Sequence, residues 1–131
     1  MPGDQLIRFI TESNAIEGIH RKPTAHEIAE FHRFMELPLL TVAEIQNFVA
    51  VYQPGARLRE HSHDDVSVGG YLAPPGGPEI RPILQKLLSE ANDCDMNRRK
   101  LFAHEIHIRY ENLPPFMDGN GRSGRMIWAW M

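Results

Sequence analysis

The chain reads Pro114-Pro115-Phe116-Met117-Asp118-Gly119-Asn120-Gly121-Arg122-Ser123-Gly124-Arg125 near its end, and these residue types at this spacing suit the binding of a phosphate. Gly119 and Gly121 let the backbone approach a ligand closely and aim its N–H groups inward, as a phosphate cradle requires. Asn120 between them adds a side-chain donor. Asp118 beside them is a carboxylate that can hold a magnesium ion bridging phosphate oxygens. Met126, Ile127, Trp128 and Trp130 follow, so the turn opens a helix. A helix start favours an anion and disfavours a cation. Yet Arg122 and Arg125 stand there, three apart and so on one face, each at a cost of roughly 0.3 to 1 kcal/mol unless an anion offsets it. A bound phosphate accounts for that mismatch. No Walker lysine follows the glycines, so the cradle is not a P-loop.

A second constellation is Ser13-Asn14-Ala15-Ile16-Glu17-Gly18. Ser13 and Glu17 are four apart and share a helix face. Ser13 and Asn14 are indifferent helix formers, and Glu17 places negative charge at the negative end of the helix dipole. A cation would rescue Glu17, and the arginine pair is the candidate. The remaining polar groups carry less. His104-Glu105-Ile106-His107 lacks the four-residue histidine spacing of a metalloprotease helix. His107 lies seven residues before Pro114, roughly 10 Å along a helix axis. His61-Ser62-His63-Asp64-Asp65 reads as a solvated loop, and His20, His26 and His32 as helix-surface residues. Cys94, between Asp93 and Asp95, is not set up as a thiolate nucleophile.

The elements that must position these groups are mostly helices. Leu6, Ile7, Phe9, Ile10 and Ile16 fall on roughly one stripe over 4–17, and Gly18 follows where a helix stops. Thr24 with Glu27, and Thr41 with Glu44, match the capping box and start two further helices. These end near Leu37-Pro38 and before Pro54-Gly55, and both face the core. Residues 57–75 change pattern: Val66, Val68, Gly69, Gly70, Tyr71 and Leu72 predict a short β-hairpin, the one strand-like region, closed by a proline-rich turn. Pro78 fits the first position of a helix through Ile80, Ile83, Leu84, Leu87 and Leu88. Another covers about 97–112 with Leu101, Phe102, Ile106, Ile108 and Tyr110, and the last runs from the glycine turn to the end. The fold class is therefore mainly α, about six helices with one hairpin, in a single domain over 1–131.

Composition narrows the function class. Of 131 residues, 42% are hydrophobic and 24% charged, with 14 Lys and Arg against 17 Asp and Glu. Neither nucleic acid nor an anionic membrane is the expected partner of so balanced a chain. One cysteine excludes an internal disulfide framework, and the start MPGDQLIRF lacks the features of a secretory signal. The expected location is the cytoplasm, without a membrane span.

Residues 114–125 resemble the signature of the Fic (Fido) family, His-Pro-Phe-x-x-Gly-Asn-Gly-Arg-x-x-Arg. Eleven of the twelve positions behave as that signature asks, and the exception is Pro114, where the family keeps its base histidine. The resemblance implies a helical domain that transfers AMP from ATP to a hydroxyl of a target protein. By it, Gly119, Asn120 and Gly121 hold the nucleotide phosphates, Asp118 holds Mg2+, Arg122 contacts phosphate oxygens, Arg125 meets the γ-phosphate and Phe116 anchors the loop. The hairpin at 66–73 resembles the family's flap, which docks a target segment by strand addition. Ser13 to Gly18 resembles the inhibitory motif of a subclass with an N-terminal inhibitory helix, here 1–20, and by that analogy Glu17 pairs with Arg125.

Pro114 cannot accept a proton, and general-base catalysis typically supplies ~10² to 10⁴ in rate. Two functions stay open: a self-inhibited adenylyltransferase crippled at Pro114, or a non-catalytic nucleotide-binding or protein-interaction module on the same fold. Phosphate or phosphocholine transfer is a third and weaker reading, since the family's base is shared across those reactions. The family fold continues past the position of Met131, so Trp128 and Trp130 either pack back on the core or are covered by a partner chain, a second copy included.

Overall fold

The computed structural model describes residues 3–68 and 70–131. Six helices and one hairpin follow in order: α1 (Gly3–Ile16), α2 (Ala25–Met35), α3 (Val42–Tyr52), β1 (Ser67–Val68), β2 (Tyr71–Leu72), α4 (Ile80–Asp93), α5 (Arg99–Asn112) and α6 (Asn120–Trp130). Helix α6 touches α1, α2, α3 and α5, and its Met126 and Ile127 are fully buried. It packs against more helices than any other element among the described residues. Phe31 and Phe34 of α2 meet Phe48 of α3 edge to face, with ring centroids 5.0 and 5.3 Å apart. Such pairs add roughly 0.5–1.5 kcal/mol beyond their burial.

Local chemistry decides the helix starts. Thr24 closes the whole capping box on α2: its hydroxyl accepts from the Glu27 N–H at 3.1 Å, and its own N–H donates to Glu27 Oε1 at 3.0 Å. Thr41 makes only half of one. Its hydroxyl accepts from the Glu44 N–H at 3.2 Å, but the Glu44 carboxylate turns to the Arg33 guanidinium instead. A charged donor nearby outcompetes one neutral N–H. Helix α4 begins at Ile80, two residues after the proline expected to open it, because a Gly77–Ile80 turn precedes it (Ile80 N–H to Gly77 carbonyl, 3.2 Å).

The buried faces differ from the apolar stripes. On α1 they are Leu6, Ile10, Ser13 and Asn14, while Ile7 and Ile16 are exposed. On α5, Ala103, Ile106 and Tyr110 face inward and Leu101, Phe102 and Ile108 outward. Trp130 packs back: its indole N–H donates to the Leu37 carbonyl at 2.9 Å, and the Arg99 guanidinium lies 4.4 Å over its ring. Trp128 stays half exposed. No helix among the described residues is long and apolar enough to cross a membrane.

The hairpin pairs Ser67 with Leu72 and Val68 with Tyr71, antiparallel. Gly69, counted into the hairpin from sequence, lies outside the described residues, as do Met1 and Pro2. The hairpin is not the only strand pairing. Leu58 bridges antiparallel to Phe116, so the start of the 57–75 region belongs to the loop before α6.

Glu27 is the most telling buried polar residue, 3% exposed. Burial pushes its carboxyl pKa up, but hydrogen bonds from the Thr24 backbone, Arg21, Asn14 and the Thr24 hydroxyl outweigh burial and hold it at about 2 against an ordinary 4.5. A depressed carboxylate stabilises the fold above its unfolded pKa and loses that contribution as pH falls through the folded value. Acid unfolding should therefore show a stability loss of roughly 3 kcal/mol between about pH 4.5 and pH 2 that is missing in Glu27→Gln, as measured by urea midpoints across that range.

Candidate functional site

Residues 115–117 are held as a strand before α6 begins. The Arg59 N–H donates to the Pro115 carbonyl at 2.9 Å and the Met117 N–H to the Arg57 carbonyl at 3.1 Å, on either side of the Leu58–Phe116 bridge. Phe116 is fully buried and pins the segment to the core. Asn120 then closes the loop on itself: its Oδ1 accepts from the Phe116 N–H at 2.9 Å and its Nδ2 donates to the Phe116 carbonyl at 2.8 Å. Both ends of its amide are thus engaged, with the second Nδ2 hydrogen outside these two bonds. Asn120 shapes the cradle.

Gly119 caps α6 with φ 85°, a left-handed conformation that only glycine adopts without strain. A Cβ there would also come within 2.9 Å of Val49. The Gly119 N–H donates to Asp118 Oδ1 at 2.8 Å and its carbonyl accepts from the Ser123 N–H at 3.2 Å. The backbone N–H groups of Asn120, Gly121 and Arg122 make no hydrogen bond among the described residues. Three such donors at the positive end of a helix dipole are an arrangement that favours an anion.

The two arginines have different fates. Arg122 is 6% exposed and its guanidinium lies 4.0 Å over the Tyr52 ring. It has no carboxylate partner and no side-chain hydrogen bond among the described residues, and it lines the cleft. Arg125 is engaged by α1 through two of its three nitrogens: Nε donates to Ser13 Oγ at 2.9 Å, and Nη2 to the Ser13 carbonyl at 3.1 Å and to Glu17 Oε1 at 2.7 Å. Glu17 rests directly on the cradle, since a Cβ on Gly121 would fall 2.6 Å from its Oε1. The side chain that Gly121 lacks is the space this carboxylate fills.

Glu17, Asp118, Gly121, Arg122 and Arg125 line one cleft of about 600 Å³, with Pro114 in one wall and Val66 and Ser67 at the foot of the hairpin in another. That volume suits a nucleotide-sized ligand. Asp118 is exposed and has one carboxylate oxygen outside its bond to Gly119. That fits a magnesium ion arriving with phosphates, which takes one or two carboxylates rather than a protein cage. Among the described residues no cluster of three or more His, Cys, Asp or Glu could hold a metal.

His107 is engaged away from Pro114. Its Nδ1 faces the Gly124 carbonyl at 3.0 Å, and its Nε2 lies 3.1 Å from Glu111 Oε1. His61 and His63 are exposed, as are His20, His26 and His32. Asp64 is not the solvated residue its loop suggested. It is 8% exposed, forks onto Arg57 and accepts from the His61 N–H, and Arg57 holds its carboxyl at about 2.

Arg59 was not singled out by the sequence. It is fully buried, yet its guanidinium has no carboxylate partner among the described residues. Nε donates to the Pro114 carbonyl (2.5 Å), Nη2 to that of Leu113 (2.6 Å), and Nη1 to those of Asp64 (3.0 Å) and Pro74 (2.9 Å). It ties the end of α5 to both ends of the hairpin segment. Burial lowers its pKa, against the nearby charges of Asp65 and Asp64, but an arginine so placed stays protonated. The one signal in sequence is alternation: Arg57 and Arg59 flank an inward Leu58, which usually reads as two outward arginines.

The model of the Fic/DOC family matches residues 22–131. That span takes in the hairpin, the loop and α6, and leaves α1, with Ser13 and Glu17, before it. No solved structure matches the chain.

Proposed function

The chain belongs to the Fic/DOC family, and on that footing we propose that the cleft is a binding site for ATP with Mg2+, built for AMP transfer to a protein hydroxyl and held off by Glu17. One observation carries this reading. Among the described residues Arg122 is buried without an anionic partner beside three free backbone N–H groups, and a charge in that position calls for an anion. The arginine and the N–H groups would hold the nucleotide phosphates, with Asp118 on the magnesium. Arg125 would take the γ-phosphate once Glu17 and Ser13 release it. While they hold it, a triphosphate has one cationic contact fewer and the wrong seat for its last phosphate.

AMP transfer forms a bond from the target oxygen to the α-phosphorus, breaks the bond to the β-phosphate oxygen and releases pyrophosphate. The hydroxyl proton must go to a base. Pro114 offers none, so the expected behaviour of the chain as it stands is nucleotide binding with transfer severely impaired. The same observation supports the alternative of a non-catalytic nucleotide-binding or protein-interaction module. In either reading the target segment would add as a strand to the hairpin, where Tyr71 and Leu72 are exposed.

Calorimetric titration with ATP and magnesium tests the site. Arg122→Gln keeps the fold's volume and removes the charge, and should weaken binding about tenfold to a hundredfold, the range of a charge-assisted hydrogen bond. Equal affinity in the variant, or no heat from the unaltered chain at millimolar nucleotide, sinks the reading.

A further inference from the structure

The end of α1 that bears Glu17 is held in an unusual way. Its first half is buried through Leu6 and Ile10, but beyond Ile10 the buried residues are Ser13 and Asn14, and Ile16 is 67% exposed. Polar contacts therefore seat the last turn. On one side Ser13 and Glu17 hold Arg125. On the other the Asn14 amide donates to Glu27 Oε2 at 2.9 Å, with Asn14 fully buried. The other Glu27 oxygen accepts from Arg21 at 2.5 Å and from the Thr24 N–H at 3.0 Å. One carboxylate thus fastens both ends of the stretch from Asn14 to Thr24, in whose middle Glu17 stands. Asn14 also takes part through its backbone, its carbonyl accepting from the Glu17 and Ile19 N–H groups at 3.0 Å each.

We infer that the Asn14–Glu27 pair is the pin of the Glu17 latch: Asn14 is a positioning residue that sets how readily Glu17 leaves Arg125. The inference rests on the proposed nucleotide site and deepens its regulation. A γ-phosphate that displaces Ser13 and Glu17 from Arg125 removes one polar tie and leaves the other. The last turn then stays docked, poised to return, for as long as Glu27 holds Asn14. A segment seated by polar contacts at a cleft, with little apolar burial, belongs to the low-stability end of a fold, where local opening is governed by single hydrogen bonds. Among the described residues the Asn14 Oδ1 is buried without a partner, so the amide makes one side-chain bond, that to Glu27. Tyr52, whose ring carries Arg122, likewise has its hydroxyl buried without a partner among the described residues.

Two readouts test this in the full chain. The first needs no nucleotide: amide exchange at Glu17, Gly18 and Ile19 should be about tenfold to a hundredfold faster in Asn14→Ala, the factor for losing a hydrogen bond to a buried charge. Exchange within α6 should be unchanged. The second is ATP–magnesium affinity in Asn14→Ala, Glu17→Gly and the double variant. Asn14→Ala should tighten binding toward the Glu17→Gly value, and the double variant should match Glu17→Gly, since a pin without a latch has nothing to hold. Unaltered exchange at 17–19, or a double variant weaker than Glu17→Gly by the full effect of a separate lesion, overturns the pin. Faster exchange with no nucleotide binding in any variant leaves the pin standing and refutes the nucleotide site instead.

Discussion

Pro114→His combined with Glu17→Gly is expected to raise AMP transfer by about 10²- to 10⁴-fold over Glu17→Gly alone, the span general-base catalysis supplies. The backbone is ready for the change. Pro114 already lines the cleft with Asp118, Arg122 and Arg125, and its carbonyl is fixed by Arg59, which a histidine retains. Leu113 is in the right-handed helical region, with ψ −28°, a conformation that a following proline disfavours, so histidine relieves rather than adds strain. The variant therefore adds a proton acceptor without moving the loop. Histidine alone should give less, because Glu17 still occupies Arg125 at 2.7 Å. Radiolabelled AMP incorporation into a model target or into the chain itself reads the series. Transfer by the unaltered chain at the rate of the double variant would show that Pro114 is no lesion. An equal rate with and without Glu17 in the histidine background would show that it is no latch.

Arg59→Leu is expected to lower the unfolding free energy by roughly 3 to 5 kcal/mol, a large part of the 5–15 kcal/mol that domains of this size possess. Leucine is close to arginine in volume, so the loss is not chiefly one of packing. It comes from the carbonyls of Leu113, Pro114, Asp64 and Pro74, which lose their shared donor where water has poor access. Arg59→Lys should fall between the two, because an ammonium has three donors on one atom and cannot fork across four acceptors. Urea midpoints at neutral pH measure the series. A loss under about 1 kcal/mol for leucine would mean that the carbonyls are hydrated and the arginine is no staple. Because Arg59 joins the hairpin to the loop, nucleotide binding should weaken in Arg59→Lys even at temperatures where that variant remains folded.

Much of this molecule was legible along the chain because it is local. Helix number and approximate ends follow from apolar spacing, from Thr24 and Thr41, and from the glycines and prolines between. The glycine turn and the α6 start follow from adjacent residues whose backbone demands are their own. Errors arose where a distant group intervened. Glu44 left its capping box for Arg33, and Ile7 and Ile16 ceded the inner face of α1 to Ser13 and Asn14. Nearer by, the Asn120 amide is tied on both sides to Phe116, four residues before it.

What the sequence by itself determined is the cradle: Gly119, Gly121 and two arginines at a helix start, a pattern whose electrostatic mismatch is complete within a few consecutive residues. Only the tertiary structure decided which arginine is open. By residue type and spacing Arg122 and Arg125 are equivalent, and only the family resemblance paired Glu17 with Arg125; α1 docks so that Ser13 and Glu17 do reach Arg125 while Tyr52 merely stacks on Arg122. The same packing drew Arg59 inward against every expectation for a charged residue, because four carbonyls from three separate stretches of chain converge where its guanidinium lies. Charge pairing between segments a hundred residues apart depends on which faces are buried, and burial is settled by the whole core at once rather than by any stretch of it.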